Sequence, residues 1–118
     1  MFPGIDIIEI ERFLQACERR PKLCERLFTP RERDDLLGKG MPSWAARFAG
    51  KEAILKSMGT GLSGLSWQDI EILSATSGEP VVYLSSRALA KVRARGGTQV
   101  RVSLSHNRTQ AVAMAILA

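Results

Sequence analysis

The chain is poor in residue types that mark several common classes of protein. Its 118 residues include two cysteines, one histidine and seven aromatic residues. Cys17 and Cys24 stand seven residues apart, which suits neither a zinc knuckle nor a redox CxxC motif, so we expect reduced, structural thiols. The few aromatics do not interleave with basic residues along any strand, which argues against base stacking, and we expect no nucleic-acid partner.

Long apolar runs are also missing. No stretch approaches the roughly 20 apolar residues that a bilayer-spanning helix needs, so we expect no membrane segment. The first six residues, MFPGID, lack the basic segment and apolar core of a secretory signal. Together these features predict a cytoplasmic protein.

Several well-known catalytic motifs are absent. The chain has no Walker A sequence, no HExxH pair and no motif that marks a serine or cysteine as a nucleophile. Residues 59–64 match the spacing GxGxxG, but a helix is predicted before them and a strand after them, the reverse of a dinucleotide-binding unit. We interpret this loop as backbone that a ligand can approach closely.

Length, composition and charge describe one small globular domain. A chain of this size buries enough apolar surface to fold without disulfide or metal, so we expect a single domain over residues 1–118. Residues 41–118 hold nine Lys or Arg and four Asp or Glu, and so carry the whole net charge of +5. This excess favours an anionic partner, whether a polyphosphate, an acidic protein or nucleic acid.

Hydrophobic periodicity predicts an α+β fold. The predicted helices cover residues 11–27 (divided by Pro21), 30–37, 43–58 and 85–95. The predicted strands cover residues 4–10, 67–73, 81–84, 100–105 and 111–117. Thr29 and Glu32 form a capping-box pattern, and Gly59 is a C-terminal helix stop. The sheet should be largely antiparallel and packed against helices, with the last strand central or at a subunit contact.

One carboxylate stands inside the first predicted strand. Asp6 lies between Ile5 and Ile7 and shares a strand face with Ile8. A carboxylate beside apolar neighbours is costly to desolvate unless it gains a metal ion, a basic partner or several hydrogen bonds. Asp6 is therefore a candidate metal ligand, and a salt bridge or an exposed edge position remains the alternative.

A second carboxylate lies on the helix predicted over residues 43–58. Phe48, Glu52 and Lys56 are spaced four residues apart and share one helical face. An ordinary surface Glu–Lys pair would give the same pattern. The helix also carries small and basic residues that indicate packing and nearby positive charge: Ala45, Ala49, Arg47 and Lys51. Two carboxylates near cations suit Mg²⁺ and substrate phosphates, because Mg²⁺ takes few protein carboxylates and completes its octahedron with phosphate and water.

The only histidine follows a predicted strand. His106 lies between Ser105 and Arg108, close to a predicted sheet rim. Such a residue is either a solvated turn residue or one of several hydrogen-bond donors to an anion. The sequence leaves both interpretations open.

Four segments, in order and spacing, resemble the signature blocks of the holo-acyl-carrier-protein synthases, the small bacterial phosphopantetheinyl transferases. They are GIDIIEIERF, RLFTPRE, WAARFAGKEAILKSMGTG and VSLSHNRTQAVAMA. The resemblance implies the 4′-phosphopantetheinyl transferase fold and the transfer of 4′-phosphopantetheine from coenzyme A to a serine of apo-acyl-carrier protein. It also implies release of adenosine 3′,5′-bisphosphate, a Mg²⁺ cofactor and a homotrimer with active sites at subunit interfaces.

The resemblance further implies roles for individual residues. The metal ligands would be Asp6 and Glu52, and the catalytic residues Glu52, Lys56 and Asp6. Coenzyme A contacts would come from Arg47, Lys56, Gly61, Ser105 and His106. The acidic carrier would dock on Arg12, Arg19, Arg20 and Arg26.

These assignments give a mechanistic hypothesis and leave two competing ones. Magnesium would bridge Asp6, Glu52 and the diphosphate of coenzyme A, while Glu52 or a metal-held water takes the proton of the attacking serine. Lys56 would neutralise the leaving oxyanion. The alternatives are a basic nucleic-acid-binding module and a non-catalytic subunit that binds the carrier. Magnesium-dependent addition of phosphopantetheine to the carrier separates the first function from both.

Overall fold

A long helix packed on a three-stranded antiparallel sheet organises the fold. The computed structural model describes every residue from Met1 to Ala118. Its helices are α1 (Ile10–Arg19), α2 (Leu23–Leu27), α3 (Pro30–Leu36), α4 (Met41–Met58) and α5 (Ser86–Ala94). Its strands are β1 (Phe2–Glu9), β2 (Ile70–Ser74), β3 (Pro80–Leu84), β4 (Val100–His106) and β5 (Gln110–Leu117). The predicted α+β class is confirmed.

The strands form two separate antiparallel sheets. The larger has the order β1-β5-β4, and the smaller is the β2-β3 hairpin. The last strand is therefore central, which is one of the two positions that its alternating apolar residues predicted. In the larger sheet Asp6 pairs with Ala113, and its neighbour Ile5 pairs with Met114. The alternation of side chains places Asp6 on the face toward α4 and Ile5 on the opposite face.

Helix α4 is the scaffold on which the site is built. It begins two residues earlier than predicted, because Pro42 occupies one of the first helical positions, where a missing N–H costs nothing. It ends at Gly59, whose φ of 76° suits glycine and whose N–H reaches back to the carbonyls of Leu55 and Lys56. Ala49 and Ala53 are fully buried. Small side chains on this face let the helix lie close to the sheet.

Two apolar clusters flank α4. One joins α4 to both sheets and α5 and includes Ile54, Ile72 and Val92. The other joins the start of α4 to α1 and α3 and includes Phe13 and Leu36. Because α4 contributes to both clusters, its rotation about its own axis is fixed from two sides.

The strand predicted at residue 67 begins three residues later. Trp67–Asp69 is a turn of 3₁₀ helix, and β2 starts at Ile70. Asp69 causes this difference, because its carboxylate accepts hydrogen bonds from the Ser66 amide (2.7 Å) and the Ser85 hydroxyl (2.6 Å). A strand through Asp69 would break this local cap.

The helical pattern over residues 11–27 is divided where Pro21 predicted. The break separates α1 from the five-residue α2. The Sγ atoms of Cys17 and Cys24 meet across it at 3.6 Å, and both cysteines are free. No helix in the structure combines the length and apolarity needed to cross a membrane.

Candidate functional site

Asp6 is held by β1 with its carboxylate turned toward α4. The residue is only 8% exposed. Its Oδ1 accepts a hydrogen bond from Lys56 Nζ at 3.0 Å, whereas its buried Oδ2 has no partner. A buried carboxylate oxygen without a donor is costly unless a cation or another donor reaches it. The Asp6 carboxylate can therefore accept one more positively charged group, at Oδ2.

Glu52 projects from α4 toward the same carboxylate. Burial and, second to it, the neighbouring Asp6 carboxylate raise the pKa of Glu52, Lys56 acts in the opposite direction, and the net result is a pKa of about 7. Two carboxylates that share a site resist ionising together. The structure thus brings together two residues that lie far apart in the chain.

Lys56 completes this group one helical turn after Glu52. Its Nζ donates to Asp6 Oδ1 and to the Ile5 carbonyl at 2.9 Å. The side chain is nevertheless 57% exposed. An ammonium that is anchored on one side and open on the other can meet an incoming anion without leaving Asp6.

Two open cavities border this group. One, of about 380 Å³, is bounded by Glu52, Leu55, Lys56, Gly59, Gly61 and Trp67. The other, of about 300 Å³, holds Asp6 and Glu52 together with Arg12, Phe13, Phe48 and residues 7–9. Gly61, a predicted coenzyme A contact, thus lines the same cavity as Glu52 and Lys56. Gly59 and Trp67 were missed, although the helix stop and the end of the Gly/Ser-rich loop were both visible in the sequence.

The remaining predicted coenzyme A residues lie in a different cavity. This cavity, of about 190 Å³, includes Arg47, Ser105 and His106 and also the unpredicted Lys39 and Ser43. A single chain does not bring Arg47, Ser105 and His106 into the cavities beside Glu52. Lys39 stands between Gly38 and Gly40, and this pattern was the feature of the sequence that could have marked it as a candidate site residue.

The guanidinium of Arg47 is already largely engaged. It donates to Asp35 at 2.9 Å, to the Ile72 carbonyl and to the Ser74 hydroxyl at 3.2 Å. Its Nε is buried and has no partner. Arg47 is thus fixed at the cavity wall by α3 and β2, and a ligand would meet a preoriented side chain.

Lys51 does not contribute to either region, contrary to the expectation that it lies near the candidate phosphates. Its side chain is fully buried and its Nζ pairs with Glu32 at 2.5 Å and with the Leu27 carbonyl at 2.7 Å. Burial lowers the pKa of Lys51, and the Glu32 carboxylate opposes that shift. Lys51 was expected nearby because it is on the same helix as Glu52, but its side chain faces α3, away from Asp6.

The four arginines predicted for carrier docking are exposed. Arg12 and Arg19 lie on α1, Arg20 in the turn after it, and Arg26 on α2. None of them forms an ion pair within the chain. Arg12 also borders the cavity that contains Asp6 and Glu52. The basic surface therefore reaches the edge of the carboxylate site.

The carboxylate pair fits a magnesium ion and offers few other ligands. No group of three or more His, Cys, Asp or Glu side chains is arranged to hold a metal. Mg²⁺ suits such a site, because it binds through one or two carboxylates and keeps water and phosphate oxygens as its other ligands. The unpartnered Oδ2 of Asp6 and the raised pKa of Glu52 are what a site built for an added cation would display.

Comparison with known proteins places the chain among phosphopantetheinyl transferases. Proteins named holo-acyl-carrier-protein synthase from Moorella thermoacetica and Alkaliphilus metalliredigens are 47% and 44% identical to it. These matches span 97% and 96% of this chain and 91% and 94% of the relatives.

Solved structures give the same result. The holo-acyl-carrier-protein synthase of Helicobacter pylori, in complex with coenzyme A, has a TM-score of 0.87 at 30% identity, covering 98% of this chain and 99% of that one. The Bacillus anthracis protein of the same name, in complex with coenzyme A (3′,5′-ADP), has a TM-score of 0.81 at 35% identity, covering 98% and 94%. The sequence model of the 4′-phosphopantetheinyl transferase superfamily matches residues 3–115, and the chain belongs to that superfamily.

Proposed function

We propose that this chain transfers 4′-phosphopantetheine from coenzyme A to a serine of an apo-acyl-carrier protein, with a Mg²⁺ ion as cofactor. The observation that carries the proposal is the convergence of Asp6, Glu52 and Lys56 beside an open cavity. Relatives over 40% identical are named for this reaction, and two structural relatives at 30% and 35% identity were solved with coenzyme A. One unit covering residues 1–118 would act as the catalytic domain.

The metal would be held by the two carboxylates. Asp6 supplies the free Oδ2 atom and Glu52 the second carboxylate. When bound, the ion supplies positive charge that offsets the charge on the diphosphate during transfer. Lys56 keeps Asp6 in place through its 3.0 Å hydrogen bond, and its exposed ammonium is available to the departing phosphate oxygen.

Proton removal from the attacking serine falls to Glu52 or to a water beside it. The pKa of about 7 applies to Glu52 without a bound cation, and a bound Mg²⁺ would favour the ionised carboxylate that a general base requires. Arg12, at the border of the same cavity, would bring the acidic carrier close to this group. Arg19, Arg20 and Arg26 would extend the docking surface along α1 and α2.

We further propose a homotrimer in which neighbouring subunits share each site. Two observations support an assembly. Arg47, Ser105 and His106 lie in a cavity of their own, so a neighbour would supply them to the site of Glu52. The face of the larger sheet that points away from α4 exposes apolar side chains, with Ile5 at 63% and Ile7 at 61% exposed. Such a face is stabilised when another subunit covers it.

The proposed compartment is the cytoplasm. Cellular thiol reductants there keep most cysteines reduced, and both cysteines of this chain are free although their sulfurs are close.

The direct test is a transfer assay read by mass spectrometry. The protein is mixed with an apo-acyl-carrier protein, coenzyme A and Mg²⁺, and the carrier should gain the mass of one phosphopantetheine. Glu52→Gln should lower the rate by about 10²-fold or more, because it removes a metal ligand and the base. Glu79→Gln is the matched control, since Glu79 is exposed in the β2–β3 turn, away from the carboxylates.

Two results would contradict the proposal. One is a carrier that gains no mass with the unaltered protein although the protein is folded by circular dichroism. The other is a Glu52→Gln protein that transfers at the rate of the Glu79→Gln control. Omission of Mg²⁺ tests the cofactor separately, and transfer that persists in a chelator would remove the metal from the proposal.

A further inference from the structure

Two thiols face each other in the part of the chain that carries the basic docking residues. Cys17 lies on α1 and Cys24 on α2, and their Sγ atoms are 3.6 Å apart. They are the only cysteines in the chain. A disulfide bond is about 2.05 Å long, so closure requires the sulfurs to approach by about 1.5 Å. Closure would come from rotation of the two side chains and a small tilt of α2.

The local structure holds the thiols together without fixing them rigidly. Pro21 interrupts the helix, and the backbone turns back through a hydrogen bond from the Leu23 amide to the Arg20 carbonyl at 2.9 Å. Both cysteines pack, half-buried, on the apolar cluster that contains Phe13 and Phe28. The five-residue α2 is too short to be stable by itself, so this packing determines its orientation.

We infer that Cys17 and Cys24 form a disulfide-forming site that reacts with small-molecule disulfides, and that its closure weakens docking of the acidic carrier. The second part rests on the proposed function, whereas the first part stands on the geometry of the two sulfurs. Neither part requires any change at Asp6 or Glu52.

The reaction is a thiol–disulfide exchange in two steps. Cys24, as the thiolate, attacks one sulfur of the small disulfide, forming a mixed disulfide and releasing one small thiol. Cys17 then attacks the sulfur of Cys24, gives up its proton to solvent and expels the second small thiol. The protein loses two protons and two electrons, and the small disulfide is reduced to two thiols.

The order of attack follows from the environment of Cys17. Burial and, second to it, the neighbouring Cys24 sulfur raise the pKa of Cys17 to about 12. This environment disfavours the thiolate of Cys17, so we assign the first attack to Cys24 and the resolving step to Cys17. Cys17 becomes the resolving thiol once the mixed disulfide brings a leaving group to within reach.

Closure acts on the docking surface because the two thiols lie among its arginines. Arg19 and Arg20 lie between Cys17 and Cys24, and Arg26 follows two residues after Cys24. Drawing α2 toward α1 changes the spacing of these exposed charges. Their match to acidic side chains of a partner then worsens, while the coenzyme A cavities on α4 stay as they are.

The first test follows the chemistry with oxidised glutathione as the probe. The reduced full-length protein should lose the mass of two hydrogens and both titratable thiols, with no glutathione retained. Cys17→Ser should instead keep one glutathione on Cys24, because no second thiol resolves the mixed disulfide. Cys24→Ser should react much more slowly. A wild-type protein that stays reduced, or that keeps glutathione on both cysteines, would overturn the inference.

The second test measures the consequence for the carrier. The oxidised protein should show a carrier KM raised about threefold to tenfold, the effect of weakening one or two exposed ion pairs, with an unchanged KM for coenzyme A. A thiol reductant should reverse the change, and the double variant Cys17→Ser, Cys24→Ser should not respond to oxidation. An unchanged carrier KM in the closed form would refute the docking part. Absence of transfer by the reduced protein would count against the proposed function alone, since the mass measurement needs no carrier.

Discussion

The charge of Glu52 depends on residues from two distant parts of the chain. Burial and the Asp6 carboxylate favour its protonated form, whereas Lys56 favours the ionised form. The net effect raises the pKa from 4.5 to about 7. Between these two values the folded protein binds more protons at this position than the unfolded chain does. Stability contributed by the protonated carboxyl is therefore fully present below about pH 4.5 and is lost as the pH rises through 7.

Because the folded state raises the pKa of Glu52, we predict that Glu52→Gln stabilises the protein at alkaline pH. Without divalent cations, the variant should exceed the wild type by about 1–2 kcal/mol at pH 8, a figure reduced from the full shift because the site is partly open to solvent. The difference should become small near pH 4.5. Thermal or urea unfolding across this range measures it, and a variant that is less stable than the wild type at pH 8 would contradict the assigned environment.

Single residues were predictable where local pattern and family motif agreed. Asp6 stood out because a carboxylate inside an apolar strand needs a partner, and Lys56 supplies one. The structure also confirms the shared face of Glu52 and Lys56. The expectation for Lys51 was wrong because sharing a helix with Glu52 does not reveal which neighbour the side chain contacts, here Glu32 on α3.

At the scale of helices and strands, a buried ion pair connects α4, α3 and β2. Lys51 on α4 pairs with Glu32 on α3, and the second carboxylate oxygen of Glu32 accepts the Ile72 amide of β2 at 2.9 Å. Glu32 also accepts the Thr29 amide as part of the capping box. Every oxygen of this carboxylate is thus engaged, which offsets the cost of burying it.

Removing one partner of this pair should be strongly destabilising. Lys51→Met should lower the free energy of unfolding by about 3–5 kcal/mol, because it leaves the Glu32 carboxylate buried without its cation. Lys22→Met, at an exposed position in the turn before α2, should change it by less than about 0.5 kcal/mol. Urea denaturation of both variants provides the measurement, and similar midpoints for the two would show that the pair contributes little.

Element boundaries were predictable where the signal was local. Thr29 and Glu32 form the expected capping box, and Gly59 ends α4 as its position indicated. The 3₁₀ turn at Trp67–Asp69 was missed although part of its signal is local, since Ser66 and Asp69 form a capping box. The other bonds to the Asp69 carboxylate come from Ser85 and Arg87, which are too distant in the chain to give a pattern within a short window of sequence.

At the scale of the whole molecule, the larger sheet has one face covered by α4 and one face open. The open face carries Ile5 and Ile7 from β1 and Met114 from β5, and Ile5 lies directly opposite Met114. Because Ile5 and Met114 are adjacent on neighbouring strands, they form a continuous apolar patch. This patch is where the proposed subunits would meet.

A charge placed in this patch should dissociate the proposed trimer. Met114→Glu should give a monomer by sedimentation or light scattering, because the carboxylate would be buried at the contact without a partner. Transfer should fall with it, since the cavity of Arg47 and His106 would no longer adjoin a neighbour's Glu52. Leu37→Glu is the control, because Leu37 is 70% exposed but lies at the end of α3. A trimeric Met114→Glu protein would place the contact elsewhere.

The sequence did not predict how the two sheets and the cavities are arranged relative to one another. The strand pattern gave an antiparallel arrangement and a central last strand, both of which the structure has. The pattern could not show that the β2-β3 hairpin forms its own sheet. A separate hairpin and a hairpin that continues the larger sheet have the same alternation of side chains. The pattern also could not show that the predicted coenzyme A residues divide between separate cavities, which depends on how α3 and β2 pack on α4.

The paired carboxylates of Asp6 and Glu52 have a consequence for how the site is filled. The raised pKa of Glu52 favours its protonated form near neutral pH when no cation is present, so a cation bound here would compete with that proton. Occupancy of the site would then depend on the concentrations of both hydrogen ions and metal ions. If the proposed Mg²⁺ ion binds these carboxylates, a fall in the pH of the surrounding solution would weaken its binding.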